Sequence, residues 1–223
     1  MISAALFDMD GLMIDSDQII SRAYETVLKE YGKEPQFNSR GIVHTPGISA
    51  VDNWKNLVKV YGIDADINEL AAKKNRLHVE YMKEGVNAMP GLMELLPTLR
   101  EHNIKMAIAS SSNRELVESV VQHLGIKQYF DAIVAGGEVP HGKPAPDIFL
   151  VAAANLEVAP EDCVVFEDAI DGVRAAKAGG MSCIAIPSLD NLDNPEFKIA
   201  DAVLPSLGQV DWDTITKLVY LSW

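Results

Sequence analysis

The stretch Ala4-Ala5-Leu6-Phe7-Asp8-Met9-Asp10-Gly11 places two carboxylates directly after a short apolar run. The run predicts a buried strand, and residues two apart in a strand point to the same side, so Asp8 and Asp10 should project together. Two anions this close repel each other unless a cation lies between them. Gly11 allows a sharp turn out of the strand. The stretch therefore predicts a divalent metal site with one carboxylate able to react, although a solvated acidic loop would show the same pattern.

A cluster of hydroxyl groups follows a second predicted strand. Residues 104–109 are mostly apolar and lead into Ser110, Ser111 and Ser112. A helix should begin at about Asn113, because apolar residues recur on one face of the segment that follows. Ser112 or Asn113 then serves as the N-cap of that helix. Ser110, at the tip of the strand, is left for another task, and a hydroxyl beside the amides of a helix N-terminus suits a phosphate.

A lysine and a further acidic pair follow in the second half of the chain. Lys143 lies in the stretch 142–147, Gly-Lys-Pro-Ala-Pro-Asp, whose prolines stiffen the backbone and would hold a positive charge in place. A surface lysine in a turn is the alternative. Glu167 and Asp168 follow the apolar run 163–166. These acids could instead serve only the next helix, since negative charge is favourable near a helix N-terminus.

The order of predicted elements indicates an α/β fold. Strand-like runs lie near residues 2–8, 104–109, 132–135, 163–166, 182–186 and 201–204. Helical segments alternate with them, which is typical of a Rossmann-like parallel sheet with helices on both faces. The segment 15–87 shows helical stripes and no strand-like alternation, and Asp15 and Gln18 resemble a capping box at its start. We therefore expect an α/β core domain, residues 1–14 and 88–223, with an inserted α-helical cap domain, residues 15–87.

All four polar clusters lie at the ends of predicted strands. Ligands of parallel sheets bind beyond the carboxyl ends of the strands, so we expect the clusters to meet at one edge. Together they supply carboxylates, a hydroxyl and a fixed cation. These are the groups that phosphoryl transfer requires.

The four motifs, in this order, resemble those of the haloacid dehalogenase-like hydrolase superfamily. The stretches 142–149 and 166–179 resemble the branch that holds β-phosphoglucomutase and sugar-phosphate phosphatases, and the resemblance extends from Ile2 to about Pro187. It implies a Mg²⁺-dependent phosphatase that hydrolyses small phosphate esters, sugar phosphates first, through an aspartyl-phosphate intermediate.

The resemblance also implies a role for each catalytic position. Asp8 would be the nucleophile, and Asp10 would protonate the leaving alcohol and then accept a proton from the attacking water. Ser110 and Ser111 would bind the substrate through its phosphoryl group. Lys143 would bind the same group and neutralise its charge together with that of the nucleophile.

A Mg²⁺ site follows from the same resemblance. Its ligands would be an oxygen of Asp8, the backbone carbonyl of Asp10 and the carboxylate of Asp168. Glu167 would be a fourth ligand, direct or through water, or an acceptor behind the metal. Hard oxygen ligands with some retained water are what Mg²⁺ favours.

The cap departs from the mutase pattern at two positions. Ile20 stands where the mutases carry a histidine, and the stretch 47–50, Gly-Ile-Ser-Ala, ends in alanine where a Gly-x-x-Arg loop grips a second phosphate. Hydrolysis is therefore favoured over a mutase reaction, although Arg40 or His44 could replace the missing grip. A phosphoglucomutase-type isomerase and a non-catalytic module that binds Mg²⁺ and phosphorylated ligands remain the alternatives. Dehalogenases and phosphonate hydrolases are disfavoured, because their chemistry does not use a second acid at the position of Asp10.

Composition excludes other classes of partner. The 223 residues are 48% hydrophobic and 23% charged, with a formal net charge of −13. So acidic a chain is not expected to bind nucleic acid, and it is compatible with a soluble monomer. No signal peptide or membrane span is expected. Both cysteines lie in apolar runs, which predicts buried free thiols of a protein in a reducing cytoplasm.

Overall fold

The computed structural model describes residues 2–38, 41–45 and 50–218. The chain divides into two compact units, one formed by Met1–Ile14 with Asn87–Trp223 and the other by Asp15–Val86. The second unit is thus an insertion in the sequence of the first. We call them the core unit and the cap unit. That the core unit carries out the catalysis stays a prediction.

The described residues of the core unit form one six-stranded sheet in which every neighbouring pair is parallel. The strands are β1 (Ala4–Phe7), β2 (Lys105–Ala109), β3 (Ala132–Val134), β4 (Cys163–Glu167), β5 (Ser182–Ala185) and β6 (Ala202–Val203). Their order in the sheet is β3-β2-β1-β4-β5-β6. All six strands lie where the sequence predicts them, and the predicted α/β class is confirmed.

In the part of the chain that the structure describes, the two units contain eight α-helices. They are α1 (Asp17–Glu30), α2 (Ala50–Tyr61), α3 (Ile67–Glu84), α4 (Leu92–Glu101), α5 (Arg114–His123), α6 (Asp147–Asn155), α7 (Ile170–Ala178) and α8 (Trp212–Leu218). Within the described part of the chain, no helix combines the length and the apolar character that a membrane crossing needs.

The central strand β1 explains the layout of the core. All four of its residues are buried, as expected for a strand that is covered on both faces. Its neighbours are β2 and β4, and the strand order reverses direction at β1, because the chain runs outward to β2 and β3 and then returns to β4 on the other side. Ligands of open parallel sheets bind at such a switch point, beyond the carboxyl ends of the strands.

The described residues of the cap unit form three α-helices with an apolar core of their own. Helix α3 packs against both α1 and α2, and Tyr24 and Trp54 are fully buried between them. The predicted capping box at Asp15 is wrong. The N-cap of α1 is Ser16, which makes no side-chain capping hydrogen bond, so Asp15 lies one position before the cap.

Candidate active site

The polar residues of the candidate site follow the two central strands. Asp8 comes directly after β1, and its backbone N–H donates to the carbonyl of Phe166 in β4 at 3.1 Å. Glu167 is the last residue of β4, so the sheet register brings Asp8 and Glu167 side by side at the carboxyl edge. Asp168 follows at once. The predicted meeting of these clusters at one edge of the sheet is therefore observed.

Lys143 joins these two carboxylates. Its Nζ lies 2.5 Å from Oδ1 of Asp8 and 2.6 Å from Oε1 of Glu167. The three side chains are only 9%, 10% and 1% exposed, respectively. Burial lowers the pKa of Lys143, but the two carboxylates outweigh that effect and raise it, so the ammonium stays charged. The sequence alternative of a solvated surface lysine does not hold.

The carboxylates of Asp8, Glu167 and Asp168 form a group that could hold a metal ion. One oxygen of each lies within 4.8 Å of the others. Burial raises the pKa of Asp8, and it raises that of Glu167 to about 7 although Lys143 opposes it. Burial, followed by the charges of Glu167 and Asp8, raises the pKa of Asp168 well above its ordinary range. The cluster consists of hard oxygen donors that repel one another when they are ionised, which fits a divalent cation.

Two glycines make room for these acids. Gly11 has φ +91°, which confirms the predicted turn, and a Cβ there would lie 2.2 Å from Oδ2 of Asp168. Gly172, in the first turn of α7, would place a Cβ 1.7 Å from Oε1 of Glu167. The other oxygen of Glu167, Oε2, accepts the backbone N–H of Ala169 at 2.8 Å. Glu167 is therefore held by hydrogen bonds from Lys143 and Ala169, and its carboxylate occupies the space that the missing side chain of Gly172 leaves.

The polar residues after β2 have different hydrogen-bond partners, and the sequence did not decide which of them caps the next helix. Asn113 caps α5, with its side chain accepting from Leu116 N at 2.9 Å. Ser110 is fully buried, and its Oγ accepts the backbone N–H of Ser112 at 3.1 Å, which leaves the Ser110 hydroxyl proton to donate elsewhere. The side chain of Ser112 donates to Oδ2 of Asp10 at 2.7 Å. Ser112 therefore lies in the candidate site, whereas the sequence predicted it only as a possible N-cap of α5.

The group of three carboxylates does not include Asp10, although the charge of Asp10 contributes to raising the pKa of Asp8. Strand β1 ends at Phe7, so both Asp8 and Asp10 follow the strand, and their predicted shared direction stays a prediction. The expected contribution of Asp10 to a metal site is its backbone carbonyl, and that contribution stays a prediction. Ser111 is exposed, and its suggested contact with substrate also stays a prediction.

The cap positions that bear on a mutase reaction are only partly described. Arg40 and residues 47–49 lie outside the described residues. His44 is buried, and its Nε2 lies 3.4 Å from Oδ1 of Asp17 within the cap unit. Ile20 packs against the apolar core of the cap. Within the described part of the cap, His44 therefore already has an acidic neighbour.

Comparison with known proteins is consistent with this geometry. The family model of the haloacid dehalogenase-like hydrolases matches residues 5–186. The chain is 33% identical over 181 residues to fructose-1-phosphate phosphatase YqaB of Escherichia coli (strain K12), a match that covers 81% of this chain and 94% of that protein.

Two further matches extend the range of relatives. The chain is 35% identical over 206 residues to the bifunctional riboflavin kinase/FMN phosphatase of Arabidopsis thaliana, a match that covers 92% of this chain and 53%, about half, of that relative. Among solved structures, β-phosphoglucomutase from Clostridium difficile aligns with a TM-score of 0.77 and 28% identity, over 99% of this chain and 98% of that one.

Proposed function

The chain belongs to the haloacid dehalogenase-like hydrolases, and we propose that it is a Mg²⁺-dependent phosphatase of small phosphorylated metabolites, sugar phosphates first, that acts through an aspartyl-phosphate. The observation that carries this proposal is the position of Lys143 between Asp8 and Glu167. A buried ammonium against a buried carboxylate opposes the effect of burial and favours the anionic form, and it supplies positive charge where a phosphoryl group would arrive.

In the first step an oxygen of Asp8 attacks phosphorus and the bond to the leaving oxygen breaks. Asp10 donates a proton to the leaving oxygen, which departs as an alcohol. In the second step Asp10, now a carboxylate, accepts a proton from the water that attacks the aspartyl-phosphate, and inorganic phosphate forms. Ser110 donates its hydroxyl proton to a phosphoryl oxygen, and Lys143 offsets the charge of both phosphoryl group and nucleophile.

Asp8, the backbone carbonyl of Asp10 and Asp168 would hold the Mg²⁺ ion. When bound, the ion would supply positive charge to the phosphoryl oxygens and offset the repulsion between the carboxylates. Glu167 accepts hydrogen bonds at both of its oxygens, from Lys143 and from Ala169. We therefore assign Glu167 to the support of Lys143 and of metal-bound water, and not to direct metal ligation.

Hydrolysis is preferred to a mutase reaction for reasons that lie in the cap. Ile20 is a partly buried apolar residue that packs against the cap core, where the mutase pattern has a histidine. Ala50, the first residue of α2, stands at the position of the arginine that grips a second phosphate in that pattern.

The substrates in the names of the two relatives are a sugar phosphate, fructose 1-phosphate, and a flavin nucleotide, FMN. A monomeric state and a cytoplasmic location stay predictions from composition.

Phosphate release from a panel of sugar phosphates and nucleotides, with Mg²⁺ and with EDTA, tests the proposal. Wild-type protein should release phosphate only with Mg²⁺, and Asp8→Asn should abolish release. Asp193→Asn, which removes an exposed carboxylate elsewhere in the core unit, is the matched control and should retain activity. No release from any ester would contradict the proposal. The same samples would then be examined for isomerised sugar phosphate, whose presence would support the mutase alternative and whose absence would support a binding module.

A further inference from the structure

Ser112 lies in the candidate site, and neither the family resemblance nor the relatives' names assign it a task. The capping role that its position in the sequence allowed is filled by Asn113. Its side chain instead reaches Asp10, with 2.7 Å between Oγ and Oδ2. This is the ordinary length of an O–H···O hydrogen bond, in which the hydroxyl donates to the carboxyl group.

The backbone at Ser112 is fixed on both sides, so the position of its hydroxyl is built into the fold. Its N–H donates to Oγ of the fully buried Ser110 at 3.1 Å, and its carbonyl accepts the N–H of Gly136 at 2.7 Å. Gly136 approaches so closely that a Cβ there would lie 2.0 Å from the carbonyl oxygen of Ser111. Because the loops after β2 and β3 lock together in this way, Ser112 has little freedom to move away from Asp10.

We propose that Ser112 is a positioning residue that orients the carboxyl group of Asp10 for proton transfer to the leaving oxygen. This inference rests on the proposed phosphatase function. A carboxyl group has two oxygens, and Oδ2 accepts the Ser112 hydroxyl. The unprotonated, carbonyl-type oxygen of a carboxyl group is the better acceptor, so this hydrogen bond favours the proton on the other oxygen. The proton is therefore carried on Oδ1. As the P–O bond breaks, Oδ1 gives this proton to the leaving oxygen, and Asp10 is left as a carboxylate.

The choice of leaving group separates positioning of an acid from other roles. An alkyl phosphate needs protonation of its leaving oxygen, whereas a nitrophenyl phosphate releases a stable anion and does not. Hydrolysis of the aspartyl-phosphate is the same for both esters and could hide a difference in kcat. The comparison therefore uses kcat/KM, which reports the steps up to phosphorylation of Asp8. With a misplaced acid, Ser112→Ala should lower kcat/KM for the alkyl ester by about 100-fold. The value for the nitrophenyl ester should stay within about 3-fold of wild type, well short of the loss expected for a missing general acid.

Two further variants complete the test. Ser112→Thr keeps the hydroxyl and should restore most of the alkyl-ester rate. In an Asp10→Asn background, Ser112→Ala should add little further loss, because residues that act as one unit are not additive. Equal losses on both esters, or full additivity with Asp10→Asn, would overturn the proposal and favour direct contact of Ser112 with the phosphoryl group. If Ser112→Ala does not fold, Ser112→Cys, similar in size but a weak donor, should show the same selectivity. Failure of wild-type protein on both esters would instead contradict the phosphatase function itself.

Discussion

Gly172 and Glu167 lie so close that the glycine cannot carry a side chain without moving the acid. A Cβ built on Gly172 would lie 1.7 Å from Oε1 and 2.5 Å from Oε2 of Glu167. The same Oε1 accepts from Lys143, which also reaches Asp8. A helix position that looks unremarkable in the sequence therefore sets the position of the charge network at the candidate active site.

Gly172→Ala should lower activity although it raises helix propensity. Alanine in place of glycine inside a helix ordinarily stabilises by about 0.5–1 kcal/mol. Here the new methyl group displaces Glu167 and with it Lys143, so we expect kcat/KM to fall about 10- to 100-fold, as for other supports of a site. Gly179→Ala is the control, because its Cβ would make only 3.4–3.5 Å contacts. Equal activity of the two variants would show that Glu167 does not depend on this space.

Lys143→Met should abolish most activity and also destabilise the protein. Loss of a charge that stabilises the transition state typically costs about 100- to 1000-fold in rate. The buried carboxylates of Asp8 and Glu167 would lose their counter-ion, which costs about 3–5 kcal/mol when one partner of a buried pair is removed. Because these acids can take up protons at low pH, the loss of stability should shrink between about pH 8 and pH 5. Urea denaturation of the variant and of the wild-type protein at both pH values measures the difference in their free energies of unfolding.

Lys198→Met is the matched control for Lys143→Met, since Lys198 is an exposed lysine of the same unit. It should leave both the rate and the urea midpoint close to wild type. A Lys143→Met protein with wild-type stability at pH 8 would mean that Asp8 and Glu167 are already neutral there, and the charge assignment of the site would be wrong.

The sequence predicts those parts of the site that depend on sheet topology. Alternation of strands and helices places Asp8 and Glu167 after neighbouring strands, because parallel strands end at the same edge. The shared direction of Asp8 and Asp10 stays a prediction, because the rule of alternating directions applies inside a strand and β1 ends at Phe7, before both residues. The pairing of Asp10 with Ser112, 102 residues away in sequence, depends on tertiary packing and has no local signal.

The glycines illustrate the same limit. Gly11 is predictable, because an acidic strand end followed by glycine indicates a turn, and its φ is +91°. Gly172 has no such local signal, since it lies in a regular helix. What its missing side chain leaves room for, the carboxylate of Glu167, is fixed by how α7 packs against the end of β4.

Mg²⁺ binding should release protons near neutral pH. Burial raises the pKa of Glu167 to about 7 and that of Asp168 well above its ordinary range, so the metal-free site carries protons that a metal ion must displace. Affinity for Mg²⁺ should therefore rise from about pH 6 to about pH 8. Titration calorimetry in two buffers of different ionisation enthalpy counts the released protons. Asp168→Asn should weaken binding and Asp193→Asn should not, while an affinity independent of pH would contradict the raised pKa values.

His78, in the cap unit, should make stability depend on pH. Burial, with the nearby charges of Lys74 and His44, lowers its pKa to about 3. The unfolded chain binds a proton below about pH 6.5, whereas the folded chain does not until about pH 3, so folding is opposed progressively as the pH falls through that window. We expect at most about 1.4 kcal/mol of lost stability per pH unit from this group. His78→Leu should flatten the dependence of the urea midpoint on pH, whereas His123→Leu, at an exposed position, should not. Identical slopes for the two variants would mean that His78 is protonated in the folded cap.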